Sequence, residues 1–210
     1  MHGLQRGRLV IGSSDTITIY ILPEILKTYR QRYPNIEIAI RNKTSLEVAE
    51  LVLEGVVDFG IVTLPIEHEM LLVEVLCTYP DMAICPPDHP LANQEMVSLI
   101  DLSSYPLLLL EPGSNTRRFL EQVFADCDVP LHSAMDLGSI DVIKQMVAIG
   151  LGVSIVPLYA VEAGSDAEEL VALPLKELPP RQIGVIRNRQ SDYLSLAGKE
   201  FVSMFKRYIK

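Results

Sequence analysis

The chain has 210 residues, enough for one or two domains at roughly 150 residues each. Apolar residues make up 49% and charged residues 21%, which excludes a disordered or fibrous chain and leaves ample material for a packed core. With 18 Lys+Arg against 27 Asp+Glu the formal net charge is −9, so these residues are not expected to hold DNA or RNA by themselves.

The first residues, Met1-His2-Gly3-Leu4-Gln5-Arg6-Gly7-Arg8, are short and polar, with no apolar stretch or cleavage site of a signal peptide. Their abrupt passage into a strand suggests a piece of a longer protein. No run of ~18 apolar residues occurs, so no membrane partner and a cytoplasmic location are expected. Leu9-Val10-Ile11-Gly12 reads as a buried strand ended by a glycine. Ser13 to Thr16 then offers N-caps to a helical stretch through Leu22, Ile25, Leu26 and Tyr29, which Pro23 should kink or restart. After Pro34-Asn35, Ile36 to Ile40 alternates as a strand. Thr44-Ser45-x-Glu47 is a capping-box signature for a helix through Val48, Leu51 and Val52, closed by Gly55. Asp58 to Val62 is the next strand. This β-α-β-α-β order predicts a parallel sheet with right-handed crossovers.

Two extended runs follow, Leu71–Leu76 and Asp81–Cys85, then a weak helical turn at Ser98–Leu102 and a strand at Leu107–Leu110. Glu111 to Asn115 forms a turn before a helix to about Cys127, and a short strand falls near Ser133–Asp136. Ser139 caps a helix through Val142, Met146 and Ile149, and Gly150-Leu151-Gly152 breaks it before the strand Val153–Val156. Beyond a mixed loop, Leu170–Pro174 and Gln182–Arg187 are extended. A final helix, about Asp192 to Ile209, carries Lys206, Arg207 and Lys210 at its negative end. Two α/β series separated by extended segments near 77–82 and 174–182 predict two lobes joined by two crossings, with a ligand cleft at the carboxyl ends of the strands.

Four strand-to-helix junctions carry the candidate ligand residues: Ser13-Ser14-Asp15-Thr16, Thr44-Ser45, Gly113-Ser114-Asn115-Thr116 and Ser139-Ile140. Free backbone amides and hydroxyls at helix N-termini attract carboxylate, phosphate or sulfate without a cation. Serine and threonine are equally good as plain caps, so each junction alone fits either role. Thr63, at the end of its strand, is a further candidate for the cleft wall, and at most one of Arg117 and Arg118 can add charge, since neighbours on a helix diverge. Gly60 and Gly152 fit either a close backbone approach or an ordinary turn. Cys77, Cys85 and Cys127 read as free, buried thiols, and the four histidines are too scattered for a metal site. No nucleophile elbow, P-loop, dinucleotide fingerprint or carboxylate pair is present, so neither catalysis nor a cofactor is expected.

The chain resembles the effector-binding (regulatory) domain of LysR-type transcriptional regulators. The resemblance rests on Gly7-Arg8-Leu9-Val10-Ile11-Gly12, Leu22-Pro23 with Tyr33-Pro34, and Leu53-Glu54-Gly55-x-x-Asp58-Phe59-Gly60-Ile61. It continues through Asp88-His89-Pro90-Leu91 and Val147-Ala148-x-Gly150-x-Gly152-Val153-x-Ile155-x-Pro157. It implies an α/β, two-lobed periplasmic-binding-protein-like (type 2) clamshell with two hinge crossings, lobe I being residues 1–78 and 181–210 and lobe II 79–180. It further implies a small-molecule inducer, often a carboxylate or other anion, held between the lobes by the junctions above. DNA would be contacted only through a winged helix-turn-helix domain preceding Met1. Homodimers or homotetramers would form by antiparallel pairing through the helices Glu24–Arg32 and Thr116–Asp126. A cysteine pair like that of the peroxide-sensing branch is absent from Gly113–Arg118, which argues against a disulfide switch. A transporter's solute-binding protein is the alternative reading, and an enzyme on the same fold a third.

Overall fold

The computed structural model describes residues 7–162, 169–191 and 194–209. The polar lead-in Met1–Arg6, part of the predicted mixed loop (163–168), and Asp192, Tyr193 and Lys210 at the predicted final helix lie outside them. The chain divides into two compact units, Met1–Thr78 with Gln182–Lys210, and Tyr79–Arg181. Arg181 falls in the second unit, where its side chain is held.

The first unit is built on one sheet. Strands β1 (Gly7–Ser13), β2 (Ile36–Asn42) and β3 (Phe59–Thr63) run parallel, and β10 (Arg181–Asn188) lies antiparallel to β3, in the order β2-β1-β3-β10-β4 with β4 at Leu71–Tyr79. Pro23 restarts the first helical stretch, dividing it into α1 (Asp15–Tyr20) and α2 (Leu22–Arg32); proline is tolerated in a first turn because its missing donor would have no partner there. Tyr29 of α2 is fully buried against Phe201 of α8 (Leu196–Tyr208), and its hydroxyl donates to the Ala197 carbonyl at 3.0 Å. Helix α8 starts later than the sequence pattern suggests because the Ser195 hydroxyl accepts the Gly198 amide and so defines the cap.

The stretch that carries the strongest family resemblance is architectural. Gly55 takes a left-handed φ of 70° after α3 (Ser45–Leu53). The Asp58 carboxylate accepts the Val10 amide at 2.7 Å, Phe59 is fully buried, and Gly60 lies where a Cβ would stand 2.5 Å from Val48.

The second unit does not contain the extended parallel sheet that a second α/β series suggests. Among the described residues β6 (Leu107–Leu110) and β7 (Ser133–Leu137) form a parallel pair of strands, while β5 (Asp81–Cys85) sits antiparallel between β8 (Ser154–Pro157) and β9 (Val171–Pro174). Helix α4 (Leu99–Ser103) begins with a complete capping box between Ser98 and Asp101. The longer α5 (Asn115–Asp126) and α6 (Ile140–Ala148) follow β6 and β7, and α7 (Leu158–Glu162) occupies part of the stretch expected as loop. Its five residues are too few to show a helical period. His89 accepts the Leu91 amide through Nδ1 and packs edge-on to Tyr105, so its motif closes a turn.

Gly152 is a genuine close approach. A Cβ there would lie 2.2 Å from the Pro106 carbonyl oxygen, which already accepts the Val153 amide at 2.9 Å. Backbone cannot yield as a side chain does, so Gly152→Ala is expected to cost about 1–3 kcal/mol in urea unfolding. Gly138→Ala, whose Cβ meets nothing within 4 Å, should change stability by less than about 0.5 kcal/mol.

Candidate functional site

In the first unit the candidate residues gather at the carboxyl edge of β1, β2 and β3. Ser13 is in register with Asn42 of β2 and Ile61 of β3; its carbonyl accepts the Lys43 amide at 3.1 Å. The Ser14 amide donates to the Ile61 carbonyl at 3.4 Å. Ser14 occupies the N-cap of α1 yet makes no side-chain cap bond, and its Oγ is buried without a hydrogen-bond partner. A buried hydroxyl left unmade costs about 1–3 kcal/mol, which a bound acceptor would recover. Asp15 accepts from Asn42 Nδ2 at 3.0 Å, which occupies one of its carboxylate oxygens. Thr16 lies in the first turn of α1 and is half-buried. The Thr44 hydroxyl belongs to its capping box: it donates to Glu47 at 2.8 Å and accepts the Glu47 amide at 3.3 Å. Ser45 and Thr63 are buried, Thr63 opposite Ile183 of β10.

A second cluster forms in the other unit at the carboxyl edge of β6 and β7. Leu110 pairs with Leu137, and the Glu111 amide donates to the Leu137 carbonyl, which draws the two following junctions together. Gly113 turns the chain with φ 94°. Ser114 Oγ accepts the Arg117 amide at 3.1 Å and Ser139 Oγ accepts the Val142 amide at 3.3 Å. Both serines are therefore true caps. A hydroxyl that accepts from a cap amide still has its own proton to give, so capping and anion binding are compatible. Asn115 opens α5 beside Thr116, whose Oγ1 accepts from Arg181 Nη1 at 2.9 Å. The Ile140 side chain is buried in the core, so this position can offer a ligand only its backbone amide.

Arg117 is neither solvated nor open to a ligand. It is 8% exposed, donates to Asp136 at 2.6 Å, to the Leu110 carbonyl at 3.1 Å and to Glu121 at 2.8 Å. Arg118 is exposed. The cysteines are free, but of the three expected to be buried only Cys85 is; Cys77 is half-buried, and Cys127 is exposed as the C-cap of α5, past its last turn. Burial pushes the Cys77 and Cys85 thiols up. Among the described residues no group of His, Cys, Asp or Glu is placed to hold a metal, and no helix is long and apolar enough to cross a membrane.

Arg181 is the residue that sequence reasoning missed. It is 3% exposed, forms two bonds to Asp81 at 2.6 and 2.9 Å, and stacks over the rings of Tyr79 and Phe119. Burial opposes its charge, Asp81 outweighs the burial, and the guanidinium is held firmly protonated. Its place directly after Leu178-Pro179-Pro180 carries no signal for a partner 100 residues away.

A family model described as the LysR substrate binding domain matches residues 2–210. The chain belongs to the LysR substrate-binding domain family. Relatives of this LysR domain include the RuBisCO operon transcriptional regulator of Allochromatium vinosum, 27% identical over 201 residues that cover 96% of this chain. The transcriptional activator CmpR of Synechocystis is 27% identical over 202 residues, again 96% of this chain. The chain spans 66% of the length of either relative. The regulatory domain of Synechocystis CcmR, solved in complex with 2-PG, matches the LysR domain with a TM-score of 0.87 and 26% identity, covering 96% of this chain and 97% of that one. The architecture is thus the type 2 periplasmic-binding-protein-like α/β fold, and the matched relatives are transcription regulators rather than enzymes.

Three carboxyls of the LysR domain sit below the usual carboxylate range. Glu47 is lowered by the bonds from Thr44, Asp101 by those from Ser98, and Asp136 by that from Arg117. A carboxyl whose folded-state pKa is depressed adds stability that is present above its unfolded-state pKa and is lost as pH falls through the folded value. The urea midpoint is expected to fall below about pH 4, and Asp136→Asn should flatten that acid limb. An acid limb of unchanged slope in Asp136→Asn would show that the Arg117 pairing contributes nothing.

Proposed function

We propose that this chain is the inducer-sensing domain of a LysR-family transcriptional regulator, binding a small anionic metabolite and changing oligomer geometry to control DNA binding elsewhere in the protein. The observation that carries the reading is the donor-rich character of the clusters. Ser14 has a buried hydroxyl without a partner, and Ser114, Thr116 and Ser139 each accept a bond while keeping a proton to give. These hydroxyls stand at the positive N-terminal ends of their helices, which suits an acceptor-rich ligand. The 2-PG complex of the CcmR regulatory domain, a similar structure, supports metabolite sensing. A cytoplasmic location and DNA contact through a preceding domain belong to the same proposal.

Self-association is proposed through the exposed edge of the first unit, where β2 ends the sheet beside α2. A groove of about 750 Å3 there is lined by Pro23, Leu26, Lys27, Arg30, Ile38 and Ile40, a mixture of apolar surface and basic rim that a second copy of this acidic chain could cover.

A thermal-shift series with 2-PG, small organic acids, phosphate and sulfate tests the ligand class. A ligand at 100 times its Kd should add about 2.7 kcal/mol and raise Tm by roughly 5–10 °C. Ser14→Ala and Ser139→Ala should each weaken the selected ligand about 10-fold by calorimetry. Unchanged affinity in both variants would disprove the proposed site. Sedimentation velocity with and without that ligand should show a change in the oligomer distribution.

A further inference from the structure

The geometry points to Arg181 as a positioning residue that turns the proton of the Thr116 hydroxyl away from the guanidinium, so that this end of α5 presents a directed donor to ligands carrying a carboxylate, phosphate or sulfate oxygen. The inference rests on the functional reading above and deepens it. A guanidinium has five donors and no acceptor. Arg181 Nη1 donates to Thr116 Oγ1 at 2.9 Å, which takes one of the threonine's two lone pairs and directs its proton away from the guanidinium. A hydroxyl oxygen that accepts from a cation also becomes a stronger donor, since chains of hydrogen bonds polarise one another.

The arginine cannot easily swing away. Asp81 holds its Nε and Nη2 at 2.6 and 2.9 Å, Tyr79 and Phe119 stack on it with ring centroids 5.5 and 5.1 Å from its central carbon, and the pair is nearly sealed from water. Two nitrogens are spent on the carboxylate and the third is aimed at Thr116. A lysine has no planar fork and could not serve both partners in this geometry. The ligand need not touch Arg181. The cation acts through the threonine, and Asp81 balances its charge, so the selectivity arises from a fixed donor direction rather than from net positive charge.

The test uses inorganic phosphate, titrated into the 210-residue protein and followed by NMR at the Thr116 and Ser139 amides. Thr116→Ser should bind phosphate within about 3-fold of the unaltered protein, and Thr116→Val about 10-fold more weakly. Arg181→Lys, which keeps a cation for Asp81, should weaken phosphate several-fold. The double replacement Arg181→Met with Asp81→Leu, which leaves no unpaired buried charge, should weaken it about 10-fold. In that background Thr116→Val should cost no more than about 2-fold, a coupling that a merely structural arginine would not produce. Thermal unfolding confirms which variants fold, and Arg181→Lys carries the test if the double replacement does not. Full phosphate affinity in Arg181→Lys or in the folded double replacement, with Thr116→Val still weak, overturns the arginine's role and leaves the functional reading standing. Absence of phosphate-dependent shifts at Thr116 and Ser139 in the unaltered protein overturns both.

Discussion

Every candidate ligand residue in the first unit depends on parallel strand pairing. When β1 lies between β2 and β3 with all three running the same way, their carboxyl ends fall on one edge, and the residues that follow each strand are delivered there together. The Lys43 amide on the Ser13 carbonyl and the Ser14 amide on the Ile61 carbonyl continue that pairing one step past the ladder. The same logic operates on a smaller scale in the other unit, where β6 and β7 bring the junctions at Ser114 and Ser139 side by side. Each parallel pair turns a local feature, a hydroxyl at the start of a helix, into a shared one.

The chemistry at these edges is carried by hydroxyl donors at helix N-termini. Arg117 and Arg181, the two buried arginines at the second cluster, are both committed to carboxylates, while Arg118 is exposed. Burying such pairs is expensive and gains little stability over an apolar substitute, so their retention is better understood through what they orient. Arg117 ties α5 to β7 through Asp136, and Arg181 ties the start of α5 to β5 through Thr116 and Asp81. The junction loop thereby becomes a fixed presentation of amides and hydroxyls. Fixed donors suit the recognition of an anion.

The motifs that made the family recognisable mostly support the frame around the site. Gly55, Asp58, Gly60, Gly150 and Gly152 serve a left-handed turn, the Val10 strand amide or a close packing contact, while His89 closes a short turn. The hydroxyl caps are visible in the sequence because a cap is defined by residues three apart. The antiparallel arrangement of β5, β8 and β9 is not visible, since short apolar runs carry no mark of direction.

Order of elements, the capped junctions, the restart at Pro23 and the breaks at Gly150 and Gly152 follow from short-range rules of backbone geometry and hydrogen bonding, and those rules act within a few residues. Which of the polar residues remain available to a ligand follows from partners far along the chain. Ser14, a cap residue by sequence, is left with an unpaired buried hydroxyl. Arg117 is consumed by a carboxylate 19 residues away, and Arg181 by one 100 residues away. Cys127 is exposed where its apolar character suggests burial. A side chain's availability depends on what the fold sets within three ångströms of it, and only the packed chain determines that.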